Sequence, residues 1–268
     1  MRGRRDNFRP KLPQLSLLFG AGIAFDAAAN TGSLVASTGA TWNIAWTGAS
    51  RALTIDVHIF SVPGTTVTAM TYGGAACTLI GVKSTVSGAG RVEMWRITAA
   101  DSGAPAAGTN TISVTLSAAV TWAGTAVSYT GVHQTSPTEG FNSAQATNGA
   151  GAADATVTIT PIANSTMIHA AVSVDDDAIT ALQTIRNNVS ATGVASGADE
   201  DTGPITPAAA TAVGFTDIAG LKTWAVAGYA LRPLAASSGS TTYAAAYLDQ
   251  SSLSVSANAG TKAFASVG

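Results

Sequence analysis

The chain has 268 residues, 46% of them hydrophobic and only 10% charged, with a formal net charge of −2. The length is ample for a buried core, while the charge lies far below the roughly 25% of an average soluble domain, which excludes a general nucleic-acid binder. Cys77 is the only cysteine, so an internal disulfide and any multi-cysteine metal site are excluded, and no run reaches the roughly 18 apolar residues of a membrane helix.

Residues 1–21 differ from everything that follows. Arg2, Arg4, Arg5, Arg9 and Lys11 face Asp6 alone, and Phe8, Leu12, Leu15, Leu17, Leu18 and Phe19 are interspersed with them. Residues 1–29 mimic a secretory signal, with a basic start, an apolar stretch and small residues at Ala27–Ala29. The reading preferred here is a retained anchoring arm. Its excess positive charge suffices to dock on an acidic protein surface and is small for tight phosphate binding. The expected docking residues are Arg2, Arg4, Arg5, Phe8, Arg9, Leu15, Leu18 and Phe19, with apolar side chains that a purely nucleic-acid-binding tail does not need.

Residues 22–233 read as all-β. Helical periodicity is nearly absent, and β-branched or alternating runs recur every ten to fifteen residues, bounded by Gly, Pro, Asn and Ser. Strands are predicted at 41–46, 52–60, 66–72, 77–83, 91–98, 109–116, 122–129, 155–160, 166–174, 211–215 and 223–231. No helical crossover separates them, which favours a two-sheet antiparallel sandwich over a parallel sheet. In the second strand Leu53, Ile55, Val57 and Ile59 share one face and Thr54, Asp56 and His58 the other, so His58 is expected to point outward. In the fifth, Val92, Met94 and Arg96 oppose Glu93, Trp95 and Ile97; a charge on each face suggests a sheet edge or a strand under a loop. Gly73-Gly74 suits a tight hairpin turn. Segments 136–153 and 186–209 are expected as long loops able to meet partners. After Pro233 the chain turns to Ala, Ser and Gly, so residues 234–268 read as a linker and tail whose anchors, Tyr243, Tyr247, Leu248, Leu253, Val255 and Phe264, could add a strand to a neighbouring subunit.

Five segments together carry a resemblance: Ile23-Ala24-Phe25-Asp26-Ala27-Ala28, Trp42-Asn43-Ile44-Ala45-Trp46, Thr71-Tyr72-Gly73-Gly74, Ala126 to Val132 and Trp224 to Leu231. In order and spacing the set resembles a jelly-roll-like β-sandwich domain of tailed-phage virion structural proteins, over residues 22–233. The resemblance implies a structural module in the virion, as an accessory head, neck or tail subunit, partnered by other virion proteins and by copies of itself, with a trimer implied by family analogy. It brings no catalytic motif.

The residues themselves give little enzymatic chemistry. Asp175-Asp176-Asp177 follows a strand, and with Asp199, Glu200 and Asp201 in a later loop it could offer oxygen ligands to calcium. Three consecutive aspartates alternate in direction, so a solvated acidic loop is the competing reading. His58, His133 and His169 have no metal-ligand spacing, and His169, within an apolar strand, is expected as a hydrogen-bonded core or interface residue. Cys77 reads as a small core residue. Trp42, Trp46, Trp95, Trp122 and Trp224 fall within strands and read as core aromatics; the alternative, a sugar-stacking surface, makes the chain a carbohydrate-binding adhesion module on a virion fibre or secreted surface protein that meets a host glycan. With neither a nucleophile and its base nor a carboxylate pair, a non-enzymatic virion protein is the primary expectation, with no cofactor beyond the calcium alternative.

Overall fold

The computed structural model describes residues 22–234 apart from 61, 89, 148–152, 165, 175–178, 192–194 and 219–221, together with the short ladder Ala257–Asn258 and Thr261–Lys262. Residues 21–235 form one compact unit. Both the docking residues predicted between Arg2 and Phe19 and the tail anchors from Tyr243 to Phe264 lie outside the described residues, as do Asp175, Asp176 and Asp177.

The expected all-β antiparallel fold is present, with the described strands between residues 24 and 231 divided over three sheets. The first contains β1 (Ala24–Trp46), β2 (Ala52–Ile59), β3 (Val67–Tyr72), β4 (Ala75–Ala76), β5 (Thr78–Ser84), β6 (Arg91–Thr98) and β7 (Gly108–Thr130). The second contains β8 (Thr138–Thr147), β10 (Thr166–Val174), β12 (Thr184–Ala191), β13 (Ala195–Ile205) and β15 (Thr223–Leu231), in the order β12-β13-β10-β15-β8. The third is small and contains β9 (Ala153–Ile159), β11 (Thr180–Ala181) and β14 (Thr211–Ile218).

Two 23-residue strands organise the first sheet. β7 joins two segments predicted as separate strands, and β1 extends far upstream of its predicted start. β1 runs along one side of β7 for nearly its whole length, while β3 and then β2 occupy the other side in succession. Register shifts at Phe25/Ala27, Asn30/Ser33, Leu34/Ser37 and Ser37/Gly39 mark bulges, which bend and twist a strand, so the sheet curls until it nearly closes. Its core comes from its own strands: Trp42, Ile44 and Trp46 share a face of β1 and pack against Leu53, Ile55, Val57, Ile59, Ile112, Val114 and Trp122. The tryptophan pair, expected with Ile44 to pack between two sheets, is buried instead inside one curled sheet, because the curl gives that sheet a core of its own.

The predicted glycine turn is also present. Gly73 and Gly74 connect β3 to β4, with Tyr72 paired to Ala75 and φ of 57° and 87°, a conformation that costs a residue with a Cβ. Beneath it Tyr72 meets Trp46 edge-on at 5.0 Å, and its hydroxyl donates to the Ile44 carbonyl.

The second sheet is the middle layer, because β10 is buried along its entire length. Ile168, Ala170, Val172 and Val174 pack with Val157, Val213, Phe215 and Val226 toward the third sheet, and Met167 and Ala171 pack with Val92, Met94, Val127, Tyr129 and Tyr229 toward the first. Strands covered on both faces are apolar throughout instead of alternating, as in Met167-Ile168-His169-Ala170-Ala171-Val172. The ambiguous fifth predicted strand is β6, an interior strand between β2 and β5. Of its three charged residues Glu93 is buried, accepting from Arg91 Nε at 2.6 Å and from the Val67 amide at 3.2 Å.

Asp26 fastens the start of β1. Its carboxylate accepts from the Thr47 amide at 2.6 Å, the Thr47 hydroxyl at 2.5 Å and the Ser128 hydroxyl on β7 at 2.7 Å. Partial burial works to raise its pKa, but the hydrogen bonds from Thr47 and Ser128, helped by Arg51, prevail and hold it below the usual carboxylate value of 3.8. A carboxylate whose pKa is lowered by folding adds stability above its unfolded pKa and loses it on acidification. Asp26→Asn should therefore cost about 1 kcal/mol at neutral pH, and urea titrations should show the gap from the wild type closing as pH falls below 3.8.

Candidate functional site: a buried polar seam

The titratable side chains that sequence reading scattered over surfaces and loops converge where the first sheet meets the second. β2 is buried on both faces. Its apolar face enters the first core, and Thr54, Asp56 and His58 face the second sheet, each with 0% exposure. His58 is therefore not outward-facing, because a second layer covers what periodicity alone marks as the solvent face. The ring packs against β13 where residue 197 is glycine; a Cβ there would come within 2.4 Å of His58 Cγ. Its Nε2 bonds the Thr125 hydroxyl at 3.1 Å. Burial drives its pKa down to about 4 against the pull of Asp56, so the ring is neutral.

Asp199, Glu200 and Asp201, expected in a loop, lie on β13 and are fully buried. Strand alternation separates them. Asp199 and Asp201 face the first sheet, whereas Glu200 turns to the third, accepting from the Gly214 amide at 2.6 Å and the Gln183 amide at 2.7 Å. Burial raises Glu200 to about 7 despite these two amides. Glu200 therefore does not share a face with Asp199 and Asp201, and Asp175, Asp176 and Asp177, the other half of the calcium alternative, lie outside the described residues. Of the two segments expected as long loops, 136–153 contains β8, and 186–209 contains most of β12 and all of β13.

At the centre of the seam His169 Nε2 lies 2.7 Å from Asp56 Oδ2, and its Nδ1 lies 3.1 Å from the Tyr129 hydroxyl. Tyr129 donates to Asp201 at 3.1 Å, and Arg186 grips Asp201 through Nε and Nη2 at 2.6 and 2.9 Å, a bidentate pair. Asn187 holds Asp199 through its amide N–H at 2.9 Å and Nδ2 at 3.0 Å, and its own Oδ1 accepts from Asn30 on β1 at 3.2 Å. Burial opposes a charge on His169, but the Asp56 carboxylate outweighs it and raises the ring above its ordinary value. At Asp199 burial prevails over the attraction of His169 and raises the acid. His169 thus occupies the hydrogen-bonded interior position expected of it. Asp56, His169 and Asp199 also place one donor atom each within 4.8 Å of one another, a spacing compatible with a metal ion.

The remaining residues singled out in the sequence have structural settings. Trp46 and Trp122 are fully buried, Trp42 and Trp224 nearly so, and Trp95 packs at the edge of the first core. His133 Nδ1 accepts from the Ser136 amide at 3.1 Å and so orders its turn. Cys77 is half-buried, and burial, reinforced by Asp101, raises its thiol to about 12, which disfavours the thiolate. Sequence reading missed Asp56, Tyr129, Arg186 and Asn187. The available signal was a polar set alternating within otherwise apolar strands, as at Thr54, Asp56 and His58.

The fold and the seam define an antiparallel β-sandwich protein whose sheets are cross-braced by a buried carboxylate–imidazole network. No protein-family model, curated protein or solved structure matches the chain.

Removing one partner of a buried charge pair leaves the other uncompensated, which costs more than the pair contributes. Arg186→Met should destabilise the chain by about 3–5 kcal/mol, read as a shift of the denaturation midpoint, and Arg186→Met with Asp201→Asn should recover a substantial part of that loss.

Proposed function

We propose that this chain is a non-enzymatic structural subunit of a bacteriophage virion, an accessory head, neck or tail component that forms homo-oligomers and docks on other virion proteins through residues 1–21. The observation that carries this reading is the use made of the acid–base side chains. Asp56, His58, His169, Asp199 and Asp201 are all fully buried, where they fasten one layer to the next and no substrate reaches them. A surface poor in charge suits a chain partly covered by neighbours in an assembly, and the basic and apolar segment 1–21 supplies a docking arm. The five segments that resemble virion β-sandwich modules fall within or beside β1, β3 and β7 of the first sheet and β15 of the second.

Deleting residues 2–21 should leave an unchanged β-sheet circular-dichroism spectrum and a closed homo-oligomer, a trimer by family analogy, on native mass measurement, while abolishing incorporation into particles. Full incorporation of the truncated chain would overturn the docking role.

One observation favours carbohydrate binding as a second reading. Between β5 and β8 lies a shallow groove of about 300 Å³ lined by Leu79, Arg96, Glu139 and Phe141. The Phe141 ring is 40% exposed and rests on Gly81, where a side chain would collide with it. An exposed aromatic face beside polar groups can stack on a sugar. Binding on a glycan array that disappears in Phe141→Ala should reveal such a role, and an array without binders removes it.

A further inference from the structure

Hydrogen-bond direction at the centre of the seam determines what stands between two side chains. Asp201 only accepts, and it takes the Arg186 fork together with the Tyr129 hydroxyl proton. With that proton committed, the Tyr129 oxygen offers lone pairs to His169 Nδ1 at 3.1 Å, so Nδ1 carries a hydrogen. On the opposite side of the ring, Nε2 faces Asp56 Oδ2 at 2.7 Å. A bare nitrogen lone pair against a carboxylate oxygen at that distance is repulsive, so a positive centre serves both atoms: a second ring proton at the distance observed, or a metal ion that both bind once they part to the roughly 3.3 Å between ligand atoms of a tetrahedral zinc.

The neighbouring groups discriminate between the two. Arg186 is matched by Asp201, which leaves Asp56 and Asp199 to share one imidazole, so without a metal this site of 0% exposure is neutral only when a ring proton is joined by a second proton on Asp199. Asp56 Oδ1 is a fully buried acceptor with no hydrogen-bond partner. A divalent cation answers both. It neutralises the second carboxylate and gives the orphaned Asp56 head a ligand, and the three donor atoms already lie within 4.8 Å of one another.

We propose that Asp56, His169 through Nε2, and Asp199 form a binding site for a divalent cation of the zinc type, joining the first sheet to the second. One imidazole nitrogen with two carboxylate oxygens suits zinc, whereas calcium takes an all-oxygen shell of six to eight ligands. The surrounding groups are those that orient metal ligands: Tyr129 holds the distal nitrogen of His169, and Asn187 holds Asp199 through its backbone and side-chain amides. With all three ligands buried, the ion enters as the sheets close, so binding and folding are linked.

The test uses the full chain, produced in zinc-supplemented and in chelator-treated medium and purified without chelator. Zinc per chain is measured by elemental mass spectrometry, thermal midpoints are compared, and the ring nitrogens of His169 are followed by ¹⁵N NMR. One zinc per chain, a higher midpoint for the zinc-grown protein and a His169 protonated at Nδ1 alone are expected. Tyr129→Phe should fold and bind zinc about 10–100-fold more weakly, and Asp199→Asn should lose the ion. A wild-type chain that retains no zinc and shows both His169 nitrogens protonated overturns the proposal on its own, whatever the variants do. Equal zinc retention by Asp199→Asn overturns it as well.

Discussion

The contact between the first and second sheets is the constraint on which the rest depends. Two β-layers normally meet through apolar side chains, and here Val92, Met94, Val127, Met167, Ala171 and Ala225 do so. Beside them lies a fully buried set of carboxylates and imidazoles on β2, β10 and β13. Buried charges are tolerated only when paired and hydrogen-bonded, so this seam tolerates very few relative placements of the sheets. A slip of one residue along β10 would turn His169 toward the third sheet and Ile168 toward Asp56. The polar network therefore fixes register where apolar packing alone would accept several registers.

This arrangement also explains how a chain with so few charges forms three layers. Covering the middle sheet on both faces requires strands without a solvent side, and β10 and β15 supply them with Ala, Val and Ile along their lengths. Small residues let the layers approach. Gly197 admits the His58 ring between the first and second sheets, and within the curled first sheet Gly124 on β7 admits Trp42, whose ring lies 2.6 Å from where a Cβ would stand. Close approach in turn excludes water from the seam, which raises the cost of any unmatched charge there. The same burial that removes Asp56, His58 and His169 from solution chemistry makes them an effective brace.

The sequence was legible where a strand obeys one rule along its length. β6, β10 and β15 match their predicted bounds because apolar and β-branched runs end at clear turn residues, and Gly73-Gly74 forms the hairpin its composition demands. Reading failed where the physical cause lies in another part of the chain. The first half of β1 and most of β8, β12 and β13 are rich in Ala, Ser, Asn, Asp and Gly, which score as loop, and they become strands because neighbouring strands complete their ladders. β-propensity reflects fit to a partner more than a preference of the isolated backbone.

The amino-acid order by itself determined the all-β class, the burial of Trp42, Trp46 and Trp122 and the interior place of His169, because each follows from local periodicity or from the chemistry of one side chain. Only the tertiary structure decided that the polar face of β2 is an interior face, that Asp199 and Asp201 meet Asp56 and His169 across two layers, and that Glu200 between them turns away. Residues separated by more than a hundred positions, as Asp56 and His169 are, become neighbours through sheet packing. An alternating strand pattern distinguishes two faces but does not say what covers either of them.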